Sequence, residues 1–566
     1  MIFPFRTLLC AVAAFLIAGG AQAECASRSS VRGKNGLVVS ADSLASAVGV
    51  EILKSGGNAV DAAVAVGFVL AVTYPEAGNL GGGGFMMIRM AGGESTMIDF
   101  REMAPAAATR DMYLDPRGRP LREKSLLGPI ASGVPGTVDG LLTALGEYGS
   151  LSRQEVIRPA LVAADSGFPV SEHLARLLSG ETPRFSLFPA TMKAFTRNGK
   201  QYRWGDTLRQ PDLASTLRAI MERGGEGFYA GEVAARIVAE MKRDGGIITA
   251  DDLRGYASVE RDPLLGSYRG CDVLTAAPPS SGGILLLQIL NSMERYDVRS
   301  MGWNSSHTVH LFASACQRAF ADRVAWLGDP DFVHVPVAGL ISKEYALSRF
   351  SDFDSTRALP SADVGAGSPA GEEDETTHFC AADRFGNVVC VTYTLNGLFG
   401  CKAVVDGAGF FMNNEMDDFT AKPGALNLFS LPGGVRNEIE PGKRMLSSMA
   451  PTIVVRDNRP LLVLGARGGS RIPTTIAQVI SNVVDFDMSI QEAVDAPRLH
   501  HQWIPDTLLF ERRALQLDVQ RNLAAMGYVL QEIEASARVE ALMIDSEQGW
   551  KLGGPDPRDN GYAIAY

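Results

Sequence analysis

The chain changes texture once, sharply, near residue 375. Residues 351–374 are rich in Ser, Asp, Gly, Pro and Glu, with few apolar residues and no periodicity. Such a stretch cannot bury enough surface to order itself and reads as an exposed, flexible linker. The block from Thr376 to Leu395 is the reverse. Two β-prone runs, Thr376–Ala382 and Val388–Leu395, flank Asp383-Arg-Phe-Gly-Asn387, a turn with Gly386 and Asn387 available for positive φ. Closing the hairpin with Ala382 opposite Val388 sets Cys380 opposite Cys390, His378 opposite Thr392 and Thr376 opposite Thr394. Directly opposed side chains have Cβ atoms about 4.5 to 5.5 Å apart, so the two threonine hydroxyls come within hydrogen-bonding reach. Asn396 falls on the same strand face as Thr394. The cysteine pair is open to two readings at this spacing, a disulfide or two small buried thiols.

A threonine at a linker-to-strand junction has a chemical use. Cleavage of the Glu375–Thr376 bond converts an amide nitrogen into an α-amine with a reference pKa of about 7.7 to 8.0. Hydroxyl and base then sit on one residue, which is the N-terminal threonine form of an activated nucleophile.

The rest of the composition narrows the setting. The 566 residues are 46% hydrophobic and 21% charged, as in an ordinary globular protein, and long enough for several domains or one large interlocked one. Net charge is -11 with no Lys/Arg block, which argues against a nucleic-acid or anionic-membrane partner. Arg6, the apolar run Leu8 to Ile17 and Ala21-Gln22-Ala23 have the three parts of a secretory signal, residues 1–23, cleaved after Ala23. The run is shorter than the roughly 20 residues that span a bilayer, so no stable membrane insertion is expected and the mature chain is placed in the periplasm or outside the cell. Cys25, Cys271, Cys316, Cys380, Cys390 and Cys401 remain, and the absence of CxxC argues against a zinc ribbon.

Early in the chain a short strand, Leu37 to Val39, precedes a nearly all-apolar segment read as a buried helix over Asp61 to Val72. Thr137–Tyr148, Pro211–Arg223 and Tyr229–Asp244 have helical periodicity. Neither Gly81–Gly84 nor Gly465-Ala-Arg-Gly-Gly-Ser-Arg471 carries the Gly-Lys-Ser/Thr of a phosphate loop. His500 and His501 are adjacent and lack a third ligand, so packing roles are expected, as for His378, and no metal or cofactor is expected.

Several strings occur together in order: Gly56-Gly-Asn-Ala-Val-Asp-Ala-Ala63, Gly78-Asn-Leu-Gly-Gly-Gly-Gly-Phe85, Asp99-Phe-Arg-Glu102, Pro278-Pro-Ser-Ser-Gly-Gly283 and Leu327-Gly-Asp-Pro-Asp-Phe332 in the first part. Glu375-Thr-Thr-His-Phe379, Val391-Thr-Tyr-Thr-Leu-Asn396, Asn413-Asn-Glu-Met-Asp-Asp-Phe419, Leu446-Ser-Ser-Met449 and Gly468-Gly-Ser470 follow. Over nearly all of the mature chain this set resembles the γ-glutamyltransferase family. The resemblance implies an α/β, four-layer αββα N-terminal-nucleophile hydrolase fold, two stacked sheets between helix layers. It also implies self-cleavage at Glu375–Thr376 into a large subunit, 24–375, ending in the linker 351–375, and a small catalytic subunit, 376–566, which remain together as a heterodimer.

Thr376 matches the family nucleophile, Thr394 its hydrogen-bonding threonine, and Gly468 and Gly469 the oxyanion-hole amides. Arg101, Ser447 and Ser448 match the carboxylate binders, while Asn396, Glu415 and Asp418 match the ammonium binders, for donors such as glutathione and other γ-glutamyl compounds. Acceptors are water, amino acids or short peptides. The sequence departs from the family pattern at Arg467, where a small residue or proline is usual, and at Phe429, a tyrosine position in the Pro423–Asn437 lid loop whose lost hydroxyl is expected to loosen the latch. Glu415 stands where some bacterial relatives have Gln. Two other readings are a glutaryl-type β-lactam acylase on the same scaffold and an inactive periplasmic binding protein.

Overall fold

The computed structural model describes residues 27–369, 380–558 and 561–566. The expected signal segment, Cys25, the Glu375–Thr376 bond and His378 lie outside these residues. The elements that matter here are strands β1 (Leu37–Ser40), β2 (Gly83–Arg89), β3 (Ser95–Phe100), β4 (Cys271–Thr275), β5 (Cys380–Ala382), β6 (Val388–Thr394), β7 (Thr452–Arg456), β8 (Arg459–Arg467) and β9 (Arg538–Asp545). Helices α1 (Ala59–Thr73), α2 (Thr137–Tyr148), α3 (Gly282–Glu294) and α4 (Ile472–Val484) cover them.

Two seven-stranded sheets stack face to face. One runs, edge to edge, Val31–Gly33, Trp550–Pro555, β9, β8, β7, β4 and Leu264–Tyr268; the other runs Tyr562–Ala565, β1, β5, β6, β2, β3 and Val259–Arg261. Every neighbouring pair is antiparallel. The strand period of two sorts side chains between layers. Leu37, Val39, Cys380, Ala382, Val388 and Cys390 face Ile453, Val455, Val463 and Leu542 of the first sheet. Their alternates Val38, Ala381, Val389 and Val391 join the core of α1. Helices α3 and α4 pack on the outer face of the first sheet. The architecture is therefore helix, sheet, sheet, helix, as expected.

Helix α1 extends the expected segment by a few residues, and all fifteen of its residues are buried, which explains its lack of a polar face. Asn58 and Asp61 form its capping box, and Asp61 also accepts from Ser150 N at 2.9 Å and Ser150 Oγ at 2.6 Å, satisfying a fully buried carboxylate. The segments Thr137–Tyr148 and Pro211–Arg223 are helices at the expected bounds, whereas the third divides into Glu226–Tyr229 and Gly231–Asp244.

The hairpin register holds where it is described: Cys380 pairs with Cys390 and Ala382 with Val388. Both cysteines are buried thiols, with Cys380 Sγ donating to Val463 O at 3.1 Å. Of the two turn residues only Gly386 takes positive φ, +101°. Asn387 acts instead through its side chain, accepting from Ala91 N at 2.8 Å and donating to Asp383 Oδ2 at 2.6 Å. Asp383 Oδ1 accepts from the amides of Phe385, Gly386 and Asn387, and Oδ2 accepts from Ala59 N at 3.0 Å, tying the turn to the start of α1.

The linker expectation needs correction over residues 351–369. That stretch has little regular structure beyond the short turn Ser361–Asp363, yet it is bound down. Ala358 N donates to Met526 O at 2.9 Å, Trp503 Nε1 to Ser361 O at 2.8 Å and Trp326 Nε1 to Gly367 O at 2.9 Å. A polar segment with no apolar face is held through its backbone groups, which composition does not register.

Asp383→Ala removes a buried acceptor from five donors, and a loss of about 3 kcal/mol is expected, read as a lowered urea midpoint with unchanged slope.

Candidate active site

Strand β3 ends at Phe100 and delivers Arg101 into the interior, where it is 0% exposed. Its backbone N–H donates to Asp99 Oδ1 at 2.9 Å and its carbonyl accepts from Tyr256 OH at 2.9 Å, which fixes the direction of the side chain. The guanidinium Nε donates to Met445 O at 3.1 Å, Nη2 pairs with Asp418 Oδ2 at 2.7 Å, and Nη1 pairs with Glu415 and lies 3.6 Å from Glu102 Oε2. Burial alone would lower the Arg101 pKa, but Glu415, Glu102 and Asp418 together hold it above the ordinary arginine value.

The acids arrive from two directions. Glu102 follows Arg101 in sequence; Glu415 and Asp418 bracket a 3-10 turn, Glu415–Asp418, which puts residues three apart on one side. Asn413 anchors that turn by donating to Gly81 O at 2.8 Å and Gly133 O at 2.9 Å and accepting from Glu415 N at 3.0 Å. Burial pushes the Glu415 carboxyl well above the usual range and raises Asp418, with Arg101 pulling both back. Burial also pushes Glu102 up, to about 7. Among the described residues neither Glu102 oxygen nor Glu415 Oε2 accepts a hydrogen bond. Three buried acceptors thus converge on one cation without full satisfaction.

Thr394 ends β6 opposite Gly83 of β2. Its Oγ1 accepts from Asn396 N at 2.9 Å, and its carbonyl accepts from Asn79 Nδ2 at 2.9 Å. Asn396 turns the chain with φ +71°, a conformation asparagine tolerates, and donates from Nδ2 to Asn414 O at 3.0 Å, linking the strand end to the acidic turn. Gly82 is required beside this corner, since a Cβ there would lie 2.0 Å from Thr394 O. Ser447 is buried and Ser448 half-buried; Ser447 Oγ accepts from Met449 N at 3.2 Å, and Ser447 O accepts from Ser281 N and Oγ.

At the end of β8 the chain passes through Gly468 (φ +143°) and Gly469 (φ +59°) into α4. Their amides lie on a strand-to-helix turn at the positive end of a helix, where developing negative charge is stabilised. A Cβ on Gly469 would lie 2.2 Å from the Phe429 ring, so the lid loop rests on the second glycine. The loop is a small hairpin in which Gly424 N donates to Gly433 O at 2.9 Å and Gly433 N to Ala425 O at 3.0 Å. The expected looser latch is met by other contacts: Leu428 N donates to Asp417 Oδ2 at 2.7 Å and Asn427 Nδ2 to Asp418 Oδ1 at 3.2 Å. Arg467 stands beside this turn with its guanidinium 5.0 Å from the Tyr74 ring centroid.

The structure brings Arg101, Glu415, Asp418, Asn396 and Thr394 into one connected corner and sets Gly469 against Phe429 of the loop that Asp418 holds through Asn427. His500 and His501 have packing roles: His500 contacts Thr474 Oγ1 and Gln502 Oε1, each at 2.9 Å, and His501 contacts Asp506 at 3.2 Å. Sequence reasoning passed over Glu102, Asn427 and Asn79. Only Glu102 left a signal, as a second acid against Arg101 at a strand end.

Two antiparallel sheets between helix layers, with a glycine turn leading from a central strand into a helix, define an N-terminal-nucleophile hydrolase architecture. The chain belongs to the gamma-glutamyltranspeptidase family, whose model matches residues 45–566. It is 47% identical over 530 residues to the glutathione hydrolase proenzyme of Escherichia coli (strain K12), covering 93% of this chain and 91% of that protein. A cephalosporin acylase structure from Bacillus halodurans superposes with TM-score 0.85 at 28% identity, over 96% of this chain and 98% of that one. The Helicobacter pylori gamma-glutamyltranspeptidase structure matches with TM-score 0.58 at 44% identity, over 59% of this chain and 96% of that one.

Arg101→Leu leaves three buried carboxylates without their cation, and a loss of about 3 to 5 kcal/mol is expected at neutral pH. Those carboxyls are raised by burial in the native state and rise further without Arg101, so the folded variant favours protonation. The deficit is therefore largest above their folded pKa values and shrinks as pH falls, which thermal midpoints across pH will read.

Proposed function

We infer that this chain is a γ-glutamyltransferase and glutathione hydrolase, activated by cleavage of its own Glu375–Thr376 bond, with Thr376 as nucleophile. The observation that carries the substrate assignment is the buried Arg101 cation ringed by Glu102, Glu415 and Asp418, with acceptor oxygens that find no hydrogen-bond donor among the described residues. A γ-glutamyl donor carries an α-carboxylate for Arg101, aided by Ser447 and Ser448, and an α-ammonium for Glu415, Asp418 and Asn396. A glutaryl group has the carboxylate and no ammonium, so it would leave the acids buried against methylene carbons. The proenzyme relative at 47% identity supports the same reading, and the acylase likeness rests on the shared scaffold at lower identity.

For the nucleophile, support comes from the hairpin: the register expected from the sequence holds at Cys380 opposite Cys390 and at Ala382 opposite Val388, and the second strand ends at Thr394. In catalysis Thr376 Oγ bonds to the γ-carbonyl carbon and its proton passes by the α-amine to the leaving nitrogen as the amide C–N bond breaks. Gly468 and Gly469 amides hold the oxyanion. Water or an acceptor amine then attacks the γ-glutamyl ester and releases Thr376. In maturation Thr376 Oγ attacks the Glu375 carbonyl carbon, the Glu375–Thr376 C–N bond breaks as an ester forms and the α-amine is freed, and water hydrolyses the ester to leave subunits 24–375 and 376–566 as a heterodimer. No helix among the described residues is long and apolar enough to cross a membrane, which fits the proposed secretory signal and a periplasmic or secreted enzyme.

Two measurements test this reading. On denaturing gels the wild type should give two fragments and Thr376→Ala one full-length band; a persistent single band for wild type overturns the activation scheme. The γ-glutamyl anilide should be cleaved at least tenfold faster than the glutaryl anilide, given about 1.4 kcal/mol or more for one charge-assisted ammonium contact. Because burial raises Glu415 and Asp418, donor KM should climb on the acid side at a higher pH than ordinary carboxylates titrate.

A further inference from the structure

Gln502 is 7% exposed and stands between the Pro423–Asn437 loop and the Gly468–Ser470 turn of the proposed site. Its Oε1 accepts from Ser470 Oγ at 2.7 Å, the residue after the two oxyanion glycines, and lies 2.9 Å from His500 Nε2. Its Nε2 donates to Phe429 O at 3.2 Å and Ser430 O at 3.1 Å, at the tip of the lid, and lies 3.2 Å from Ile504 O. The neighbours fix the amide orientation: three carbonyls surround one end, so that end is the NH2 group. The other end is then an acceptor, which requires neutral His500 to carry its proton on Nε2, leaving Nδ1 2.9 Å from Thr474 Oγ1, a hydroxyl that donates to Arg471 O at 3.0 Å. Burial keeps His500 neutral, with its pKa pushed down to about 3, and Arg471 and His501 are the charged or titratable groups bearing on it.

Resting on the acyl-transfer reading above, we propose that Gln502 is a positioning residue that couples lid closure to the geometry of the oxyanion turn. One carboxamide holds both. Phe429 presses on Gly469 from the lid side, where a Cβ would sit 2.2 Å from the ring, while Gln502 grips the Phe429 carbonyl and the Ser470 hydroxyl from behind. The lid is held on its other flank by Asp417 and Asp418, the latter bonded to Arg101. A donor that engages Arg101 and Asp418 therefore acts on a loop whose tip is joined, through Gln502, to the turn that must receive the oxyanion. Lid position sets KM and turn position sets kcat, so a residue joining them should affect both.

The test compares Gln502→Glu with Gln502→Ala in the matured enzyme, using hydrolysis of a γ-glutamyl anilide across pH. The glutamate still accepts from Ser470 and His500. Ionised, it cannot donate to the lid carbonyls, and it can do so again once protonated. The Q502E variant should lose about ten- to a hundred-fold in kcat/KM at alkaline pH, through both kcat and KM, and recover toward wild type as pH falls. The Q502A variant should lose activity by a constant factor at every pH. A Q502E profile matching wild type overturns the proposal, as does a pH-independent loss identical to that of Q502A. Wild-type inactivity on γ-glutamyl anilides would instead sink the functional reading, not the coupling. Should Q502E fail to fold, Gln502→Asn keeps both polar ends on a shorter stem: thermolysin cleavage at the lid around Phe429 should then rise together with KM, and unchanged lid protection overturns the coupling.

Discussion

A guanidinium with no exposed surface can exist only if its charge is answered locally, and the arrangement around Arg101 is the answer that organises the molecule. Glu102 is its neighbour in sequence, but Glu415 and Asp418 are more than three hundred residues away. Bringing them together requires the sheet carrying β3 and β6 to be complete, the glycine run 81–84 to pass closely behind Thr394, and Asn413 to lash the acidic turn to Gly81 and Gly133. The site is thus a consequence of sheet closure. Acid exceeds base at its centre, with Glu102, Glu415 and Asp418 set around the Arg101 guanidinium, an arrangement that is costly to desolvate on folding.

The second half of the site is built from backbone. Strand β8 runs out into Gly468 at φ +143°, a value that suits glycine, and Gly469, where a Cβ would strike the Phe429 ring; a short 3-10 turn then leads into α4. The lid completes this side. A phenylalanine in place of the usual tyrosine removes a hydroxyl, yet the loop remains held by Leu428 N on Asp417, by Asn427 on Asp418, and by Gln502 on the two tip carbonyls. Side-chain and main-chain groups together keep the loop attached without that hydroxyl.

Much of this was legible in the amino acids. The hairpin register followed from turn length and side-chain alternation, because an antiparallel pair with a fixed turn has one pairing, and Cys380 opposite Cys390 was read from that rule alone. Helix α1 was legible from its unbroken apolarity. The motif set carried Arg101, Glu415, Asp418, Gly468 and Gly469. Less legible were residues that act through backbone contacts. Residues 351–369 look like free linker by composition, but their carbonyls and amides are spoken for by Trp326, Trp503 and Met526. Asn387 was expected to bend the turn and instead cross-links it.

The sequence by itself determined the local pieces: an amphipathic or wholly apolar segment has one secondary structure that buries it, a hairpin of given turn length has one register, and glycines mark where backbone must approach backbone. These are short-range constraints, and neighbours in the chain suffice to state them. Only the tertiary structure decided that Arg101 is a buried cation and not a surface ion pair, that Glu102 joins its ring of acids, and that Gln502 touches Phe429 and Ser470 at once. Those outcomes depend on desolvation and on distances between segments far apart in sequence, quantities that exist only once the two sheets have stacked.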